Sequence, residues 1–442
     1  HRSKGLGPNG DTVPLVFDLG AIWEYVPEDG RWVSIAPHIL SQMIMECAGS
    51  WIYLGQNKDG TDRLKKLRID HTSIQGVIKC MHALCARPDF FKGAPVGVVF
   101  SDCFVAFRDG QLVRLPHAPS HRAISGWDTP WTDDTPWRFL GFLGDVWKDQ
   151  EQDDRDSSIT MLCEWIGVSI LGQQPKLAKA CLFVGESGSN GKSTAGMIIK
   201  GLFPSQYVTH IKPQDMGREY YRAQLATALM NIALDIPEST ISDSAAAAIK
   251  SLVSGDPMMA RHIRDSPFSF VPKAAVLVAL NSLPTSSDVT NGFWRRWLPF
   301  SFTRKFTDKE VVLGLDEIIL KEEKDKIVCW CVCQGVNALI RGGYTPPKSS
   351  AEIMREWKAQ ADSVSRWVSQ QTEPLIQDAE INKFGLGPKD AYNHYRAWCE
   401  ANGELPEASR KFSRRLKAQV DQHFVGKDKA RRRAYAIKVA GS

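Results

Sequence analysis

Residues 180–194, Ala-Cys-Leu-Phe-Val-Gly-Glu-Ser-Gly-Ser-Asn-Gly-Lys-Ser-Thr, constrain this chain more than any other stretch. The apolar run Cys181 to Val184 reads as a buried strand, the glycine-rich loop as its exit, and Ala195 to Leu202 as a helix. A strand feeding a loop and then a helix N-terminus is how a parallel α/β unit begins. Such a loop aims backbone N–H groups at an anion, and the helix dipole favours negative charge there. In this pattern Lys192 reaches β/γ-phosphates and the Ser193 hydroxyl holds Mg²⁺. Gly185, Gly188, Ser189, Asn190, Gly191 and Thr194 complete the candidate nucleotide loop. The spacing has one departure. Five residues separate Gly185 from Gly191 where the usual pattern has four, and Glu186 occupies the expected first glycine. The plainer reading is a glycine-rich turn that happens to contain Gly-Lys-Ser.

At 442 residues the chain has room for about two to four domains. With 43% hydrophobic and 24% charged residues it reads as globular and not disordered. No apolar run approaches the roughly 18 residues that cross a bilayer, and no signal peptide is legible, so no membrane partner is expected. Ten cysteines without a CxxC pair or zinc-finger spacing point to a reducing, cytoplasmic setting. Cys329, Cys331 and Cys333 fall in Ile327 to Ile340, which reads as a core helix. A start at His1 suggests a fragment or a processed protein. Net charge is +5, yet residues 409–442 hold 11 Lys/Arg against 2 Asp, a surplus of nine, so the remainder carries −4. A basic end on a slightly acidic body suggests a nucleic-acid contact there.

Residues 1–155 read as a mixed α+β domain. Asp18 to Trp32 suggests a hairpin with Gly30 at the turn, Pro37 to Cys47 and Ser73 to Ala86 helices, and Val96 to Leu115 a meander turning at Asp109-Gly110. Lys58 to Arg68 carries five basic residues, an ordinary solvated face or a DNA contact. The stretch 116–155, rich in Trp, Pro and Asp, reads as linker and cap. Over 156–342 a helix at Ile159 to Leu171 precedes apolar strands alternating with helices, the pattern of a parallel α/β sheet. Residues 343–350, with Pro346-Pro347, suit a linker. Residues 351–442 begin with a helix at Ala351 to Gln371 and form a small terminal domain.

Downstream of the loop, Met230 to Glu238 reads as a buried strand ending in acids. Asp235 fits a Mg²⁺-holding carboxylate and Glu238 a water-polarising one, with the two roles exchangeable. Ala274 to Asn281 is a third strand, and Asn281 suits either a contact to the γ-phosphate or the nucleophilic water, or a cap. Arg295 and Arg296 stand among aromatics, as a finger reaching a neighbouring subunit or as an ordinary surface pair. Between these strands, Met258 to Pro272 reads as two short strands around a basic tip with Arg261, His262 and Arg264, able to grip phosphates of a single strand. Near the end, Arg410, Lys411, Arg414, Arg415 and Lys417 fall on a helix, and Arg431, Arg432 and Arg433 on a wing.

The linked set Asn190-Gly-Lys-Ser-Thr194, Leu234-Asp-Ile-Pro-Glu238, Ser254-Gly-Asp-Pro257 with Arg261, Leu280-Asn281 and Trp294-Arg-Arg296 resembles the superfamily 3 helicases of the phage, plasmid and poxvirus primase–helicase family. Phe100 to Arg122 looks like the end of that family's N-terminal collar-type domain. Asp390 to Glu400, followed by Ser409 to Phe412, looks like its C-terminal winged helix. The resemblance implies an AAA+-like P-loop ATPase core using ATP and Mg²⁺. It implies a homo-hexameric ring that translocates 3′ to 5′ on single-stranded DNA and opens forked DNA. A primase–polymerase domain, in cis or in trans, and a host bacterial cytoplasm for a phage-encoded chain are further implications. Lys192, Ser193, Asp235, Glu238 and Asn281 then serve hydrolysis. Arg296 is the expected trans-acting finger with Arg295 in reserve, and Arg264 is the expected pore-hairpin tip. A non-unwinding replication initiator shares the ATPase residues, and a P-loop kinase shares the loop alone.

Overall fold

The computed structural model describes residues 5–6, 12–13, 15–186, 188–236, 241–261, 267–284, 290–402, 406–425 and 432–440. Glu238, His262, Arg264 and Arg431 lie outside the described residues, and for Asp235 and Arg432 only the backbone is described.

The N-terminal part opens with a meander of β1 (Val16–Asp18), β2 (Ala21–Val26) and β3 (Arg31–Ser34). The expected hairpin is its β2–β3 half, with Gly30 at φ +66 in the turn. A second turn at Leu19-Gly20, where both residues have positive φ, adds β1. Next come α1 (Pro37–Met45), the hairpin β4 (Trp51–Gln56) and β5 (Asp62–Lys66), and α2 (His71–Cys85). A second meander, β6 (Gly97–Val99), β7 (Phe104–Arg108) and β8 (Gln111–Leu115), turns at Asp109-Gly110.

The stretch expected as linker and cap holds α3 (Trp137–Val146) and the start of α4 (Gln152–Ile170). Phe139, Phe142, Leu143 and Val146 recur at helical spacing and are buried, which makes α3 an amphipathic core helix. Then follow β9 (Ala180–Val184), α5 (Lys192–Leu202), β10 (Val208–Thr209) and β11 (Met230–Ile236). After these come α6 (Asp243–Ser254), a hairpin of β12 (Met258–Ala260) and β13 (Phe268–Phe270), β14 (Ala275–Leu280), β15 (Trp297–Ser301) and α7 (Leu315–Arg341).

Five of these strands form one parallel sheet in the order β10-β11-β14-β9-β15. Side chains alternate between two cores. Cys181, Phe183, Leu277 and Ala279 face one with α4, α5 and α7. Leu182, Val276, Val278 and Leu280 face the other with α6. The protein is therefore α/β, with the sheet between helical layers.

The remaining elements are α8 (Lys348–Ala361), α9 (Ser363–Gln371), β16 (Thr372–Pro374), α10 (Asp378–Phe384), α11 (Pro388–Ala401), α12 (Ser409–Lys417), β17 (Gln422–Val425), β18 (Arg432–Tyr435) and β19 (Ile437–Val439). The single helix expected over 351–371 is two, because Asp362 breaks it and its carboxylate accepts the Val364 and Ser365 N–H groups. Trp357 of α8 is fully buried in the sheet's second core, edge-on to Phe293, Trp294 and Trp297, with its Nε1 donating to the Pro284 carbonyl at 2.6 Å. A separate core, including Trp367, Tyr395, Phe412 and Tyr435, holds α9, α11, α12 and β18 together.

Helices α4 and α7 cross at glycine. A Cβ built on Gly167 would lie 1.7 Å from the Cys331 carbonyl oxygen, and one on Gly335 would lie 2.5 Å from the Gly167 backbone. Nothing larger fits between these backbones. Gly167→Ala should force the helices apart and destabilise the core by about 1–3 kcal/mol, the usual overpacking cost, or more. Thermal unfolding followed by circular dichroism checks this, and a parent-like midpoint would refute the close crossing.

Candidate functional site

Strand β9 leaves the sheet at Val184 and the chain turns at once. The Gly185 N–H donates to the Leu280 carbonyl at 3.3 Å, and the Phe302 N–H to the Val184 carbonyl at 2.7 Å. A Cβ on Gly185 would lie 2.4 Å from both Asn190 Nδ2 and the Phe302 carbonyl oxygen. This accounts for the irregular glycine spacing: the crowded point is the strand exit, whereas Glu186 is exposed and tolerates a side chain. Asn190, 3% exposed, fastens the loop by donating from Nδ2 to the Phe302 carbonyl at 3.0 Å and accepting the Lys192 N–H at Oδ1 at 3.2 Å. Gly191 takes φ +81, and a Cβ there would lie 2.8 Å from Val146 Cγ2, so α3 is the floor of the loop. The Phe306 N–H donates to the Ser189 carbonyl at 2.8 Å. Around Gly188 the space is open.

Lys192, the first residue of α5, is 4% exposed. Its Nζ donates to the Gly185 carbonyl at 3.2 Å, the Leu280 carbonyl at 2.7 Å and Asn281 Oδ1 at 2.6 Å. The fold thus brings Lys192 and Asn281 into contact although 88 residues lie between them in the chain. Ser193 is exposed and Thr194 half-buried. No side-chain hydrogen bond caps the N-terminus of α5 at Gly191. Asp235 lies near the carboxyl end of β11, two strands from β9, where the register with β14 shifts between Ala233 and Ile236.

Arg295 and Arg296 precede β15 and lie at the opposite, amino edge of the sheet. The Arg296 carbonyl accepts the Ala180 N–H at 2.6 Å, just where β9 begins. The length of β9, roughly 16 Å at ~3.3 Å per residue, separates them from the loop. The two side chains differ. Arg296 is half-buried, donating to Ser254 Oγ at 2.7 and 3.1 Å and to the Gly292 carbonyl at 2.7 Å. Burial first, and then the charge of Arg295, lowers the affinity of its guanidinium for the proton, against the attraction of Asp256. Arg295 is exposed. Lys179 Nζ donates to the Arg295 carbonyl at 2.5 Å, and burial, followed by the charges of Arg295 and Arg296, holds this amine below the ordinary lysine range.

In the hairpin, Arg261 follows β12 and is turned onto its own chain. It pairs with Glu219 at 2.9 Å, donates to the Tyr220 hydroxyl at 2.7 Å and lies 5.2 Å from that ring's centre. On α12 the cations divide by face. Phe412 and Leu416 are buried, Lys411 pairs with Asp243 at 3.4 Å, and Arg415 pairs with Glu407 and Asp362. Arg410, Arg414 and Lys417 are exposed at spacings of four and three residues, forming one basic stripe beside Ser413. Arg433 is exposed on β18.

The sequence reading missed the contributions of Val146, Phe302, Ser254 and Lys179. The apolar spacing of 139, 142, 143 and 146 was a usable signal for the first. Phe302 acts through its backbone carbonyl and Lys179 through an amine bonded to one, which leave no sequence pattern, and the motif Ser254-Gly-Asp-Pro257 carried no sign of the bond between Ser254 and Arg296. Among the described residues no group of three or more His, Cys, Asp or Glu could hold a metal, and no helix is long and apolar enough to cross a membrane.

Residues 183–296 match a family of unknown function, DUF5906. No curated protein matches the chain. Among solved structures, the A form apo structure of the NrS-1 C-terminal region is 11% identical with a TM-score of 0.46, covering 97% of this chain and 96% of that one. A second A form apo structure of that region is 11% identical with a TM-score of 0.47, covering 96% of each chain.

Proposed function

We propose that this chain is an ATP-dependent DNA motor: an AAA+-like ATPase that works as a ring and unwinds DNA during replication, with 3′ to 5′ polarity implied by the family it resembles. The observation that carries the reading is the contact of Lys192 with Asn281 at the carboxyl edge of a parallel sheet in which β14 is inserted between β9 and β11. Ligands of open α/β sheets bind outside the carboxyl ends of the strands, where successive connections diverge. Here the chain leaves β9 toward β10 on one side and leaves β14 toward β15 on the other.

The residues fit a nucleoside triphosphate with Mg²⁺. Gly185 and Gly191 let the loop lie tight against Phe302, Asn190 and Val146 beneath it, Gly188 is open, and the start of α5 has no side-chain cap. Ser193, exposed, and Asp235 are oxygen donors of the kind a hard cation takes. When bound, the ion supplies charge neutralisation between the β- and γ-phosphates. Lys192 exchanges carbonyl partners for phosphate oxygens, Asn281 orients the attacking water, and Asp235 and Glu238 share the acidic roles. Arg295, exposed and about a strand's length from its own loop, suits action on a neighbouring copy better than the internally bonded Arg296. The C-terminal arrangement, α12 with its basic stripe before the β17–β18 ribbon, and a Leu386 bridge to Tyr435, supports a winged-helix-like DNA contact. A cytoplasmic site of action accords with this reading.

Lys192→Ala should abolish ATP hydrolysis, measured as phosphate release with and without single-stranded DNA. Turnover near the parent's would overturn the ATPase assignment. DNA-stimulated hydrolysis without strand displacement on a forked duplex would instead favour a loading or initiator role.

Arg295→Ala should retain nucleotide binding and lose hydrolysis by about a thousandfold or more, the usual contribution of a trans-acting arginine. Arg296→Ala should chiefly destabilise, by about 1–3 kcal/mol, because Ser254 and the Gly292 carbonyl lose their donor. Mixing Arg295→Ala with Lys192→Ala protein should restore activity at sites that combine an intact loop with an intact arginine. No restoration at any ratio would refute the trans role.

Replacing Arg410, Arg414 and Lys417 by glutamine should weaken duplex binding and flatten its salt dependence by about 0.9 in slope per lost phosphate contact. Equal slopes for variant and parent, read by fluorescence anisotropy, would assign the stripe to solubility.

A further inference from the structure

Among the sheets whose burial is fully described, the hairpin β4–β5 stands apart. Its residues are exposed on both faces apart from the half-buried Gly55, with Trp51 66% and Tyr53 59% accessible. A two-stranded ribbon of this kind is marginal alone in water, so so much uncovered aromatic surface needs a purpose. The register sets Trp51 opposite Lys66, Tyr53 opposite Leu64 and Ile52 opposite Lys65. One face therefore carries two aromatic rings beside an ammonium, and the other adds Lys65. Lys58, Arg63 and Arg68 extend the cationic surface, against Asp59 and Asp62. Asp59 is turned into its own loop, accepting the Thr61 N–H at 3.0 Å and the Thr61 hydroxyl at 2.6 Å, and these bonds hold its carboxyl below the usual range. Among the described residues no ion pair engages Arg63, Lys65 or Lys66.

We infer that this hairpin is a stacking platform for single-stranded nucleic acid, separate from both the glycine-rich loop and the α12 stripe. Exposed rings next to unpaired cations match the two parts of a nucleotide, a base with a π-face and a phosphate. A single strand is the fitting occupant because a duplex hides its base faces inside the stack. Trp51 and Tyr53, two residues apart on one face, stand roughly 7 Å from each other, about twice the 3.4 Å rise per stacked base, so the bound bases are splayed. A second copy of the chain suits the surface less well, since two such hairpins would bring like charges together.

The test uses the full chain without nucleotide and a fluorescein-labelled 20-nucleotide oligo-dT, read by anisotropy at several salt concentrations. W51A/Y53A should bind about tenfold or more weakly, with a salt slope close to the parent's, because stacking and not charge is lost. W51F/Y53F should restore most of the affinity. K65S/K66S should flatten the slope by about 0.7 per lost phosphate contact. Parent-like affinity of W51A/Y53A overturns the inference. If that variant also sediments as a smaller species, the face joins copies of the chain. Loss in W51F/Y53F as large as in W51A/Y53A overturns it too, because stacking is then not the cause. The assay contains no ATP and reads no hydrolysis, so failure of the motor reading and failure of this one are separable.

Discussion

Strand β9 is hydrogen-bonded in parallel on both edges by strands that come far later in the chain, β14 and β15. Most of the architecture depends on that double pairing. A parallel pair cannot be closed by a tight turn, so each edge of β9 demands a long crossover with helices to cover the sheet. The crossover to β14 consumes α5, β10, β11, α6 and the β12–β13 hairpin, and the sheet is buried on both faces as a result. Because β9 has a parallel strand on each side, its exit loop emerges among the carboxyl ends of its neighbours. Lys192 then finds carbonyl and amide oxygens from two strands within reach.

The same pairing produces an asymmetry between the two edges of the sheet. Parallel strands put all their carboxyl ends on one side, so the loop, Asn281 and Asp235 converge there without any local signal joining them. Their amino ends converge on the other side, where Lys179, Arg295 and Arg296 crowd together and burial works against the charges of Lys179 and Arg296. In the proposed reading, a site made of one edge from one copy and the other edge from the next is the simplest way these two groups could act together. The chain cannot fold its own arginines back across the length of β9.

Legibility followed the range of the interactions. Runs with local period were readable. The apolar segment 181–184 is a strand, 195–202 is helical, and the meander turns at Asp109-Gly110. The α/β class follows from that alternation. What the sequence hid was long-range or carried by the backbone. The order of the strands depends on crossovers, and the reason for Gly185 is a carbonyl 117 residues away, that of Phe302. The break at Asp362 was missed because a helical apolar pattern continues across it, while a capping carboxylate outweighs propensity at one position. Helix α3 was missed for another reason: its flanking Pro, Asp and Trp residues dominate the composition of that stretch and mask a four-residue apolar stripe.

Basic residues show most plainly why neighbours in sequence need not share a role. Arg295 and Arg296 are adjacent, yet one guanidinium is spent on Ser254 and Gly292 while the other meets solvent. Along α12 the helical period sorts Lys411 and Arg415 toward Asp243, Glu407 and Asp362, and Arg410, Arg414 and Lys417 outward. Arg261 is likewise committed to Glu219 and Tyr220. A cation paired inside its own chain has its donors occupied, and releasing them for phosphate means leaving a carboxylate behind. The surplus charge that composition assigns to the C-terminal segment is therefore an upper bound on what a nucleic acid can meet. In the proposed reading the effective surface of that segment is the smaller set whose donors face water, the exposed Arg410, Arg414 and Lys417 of α12.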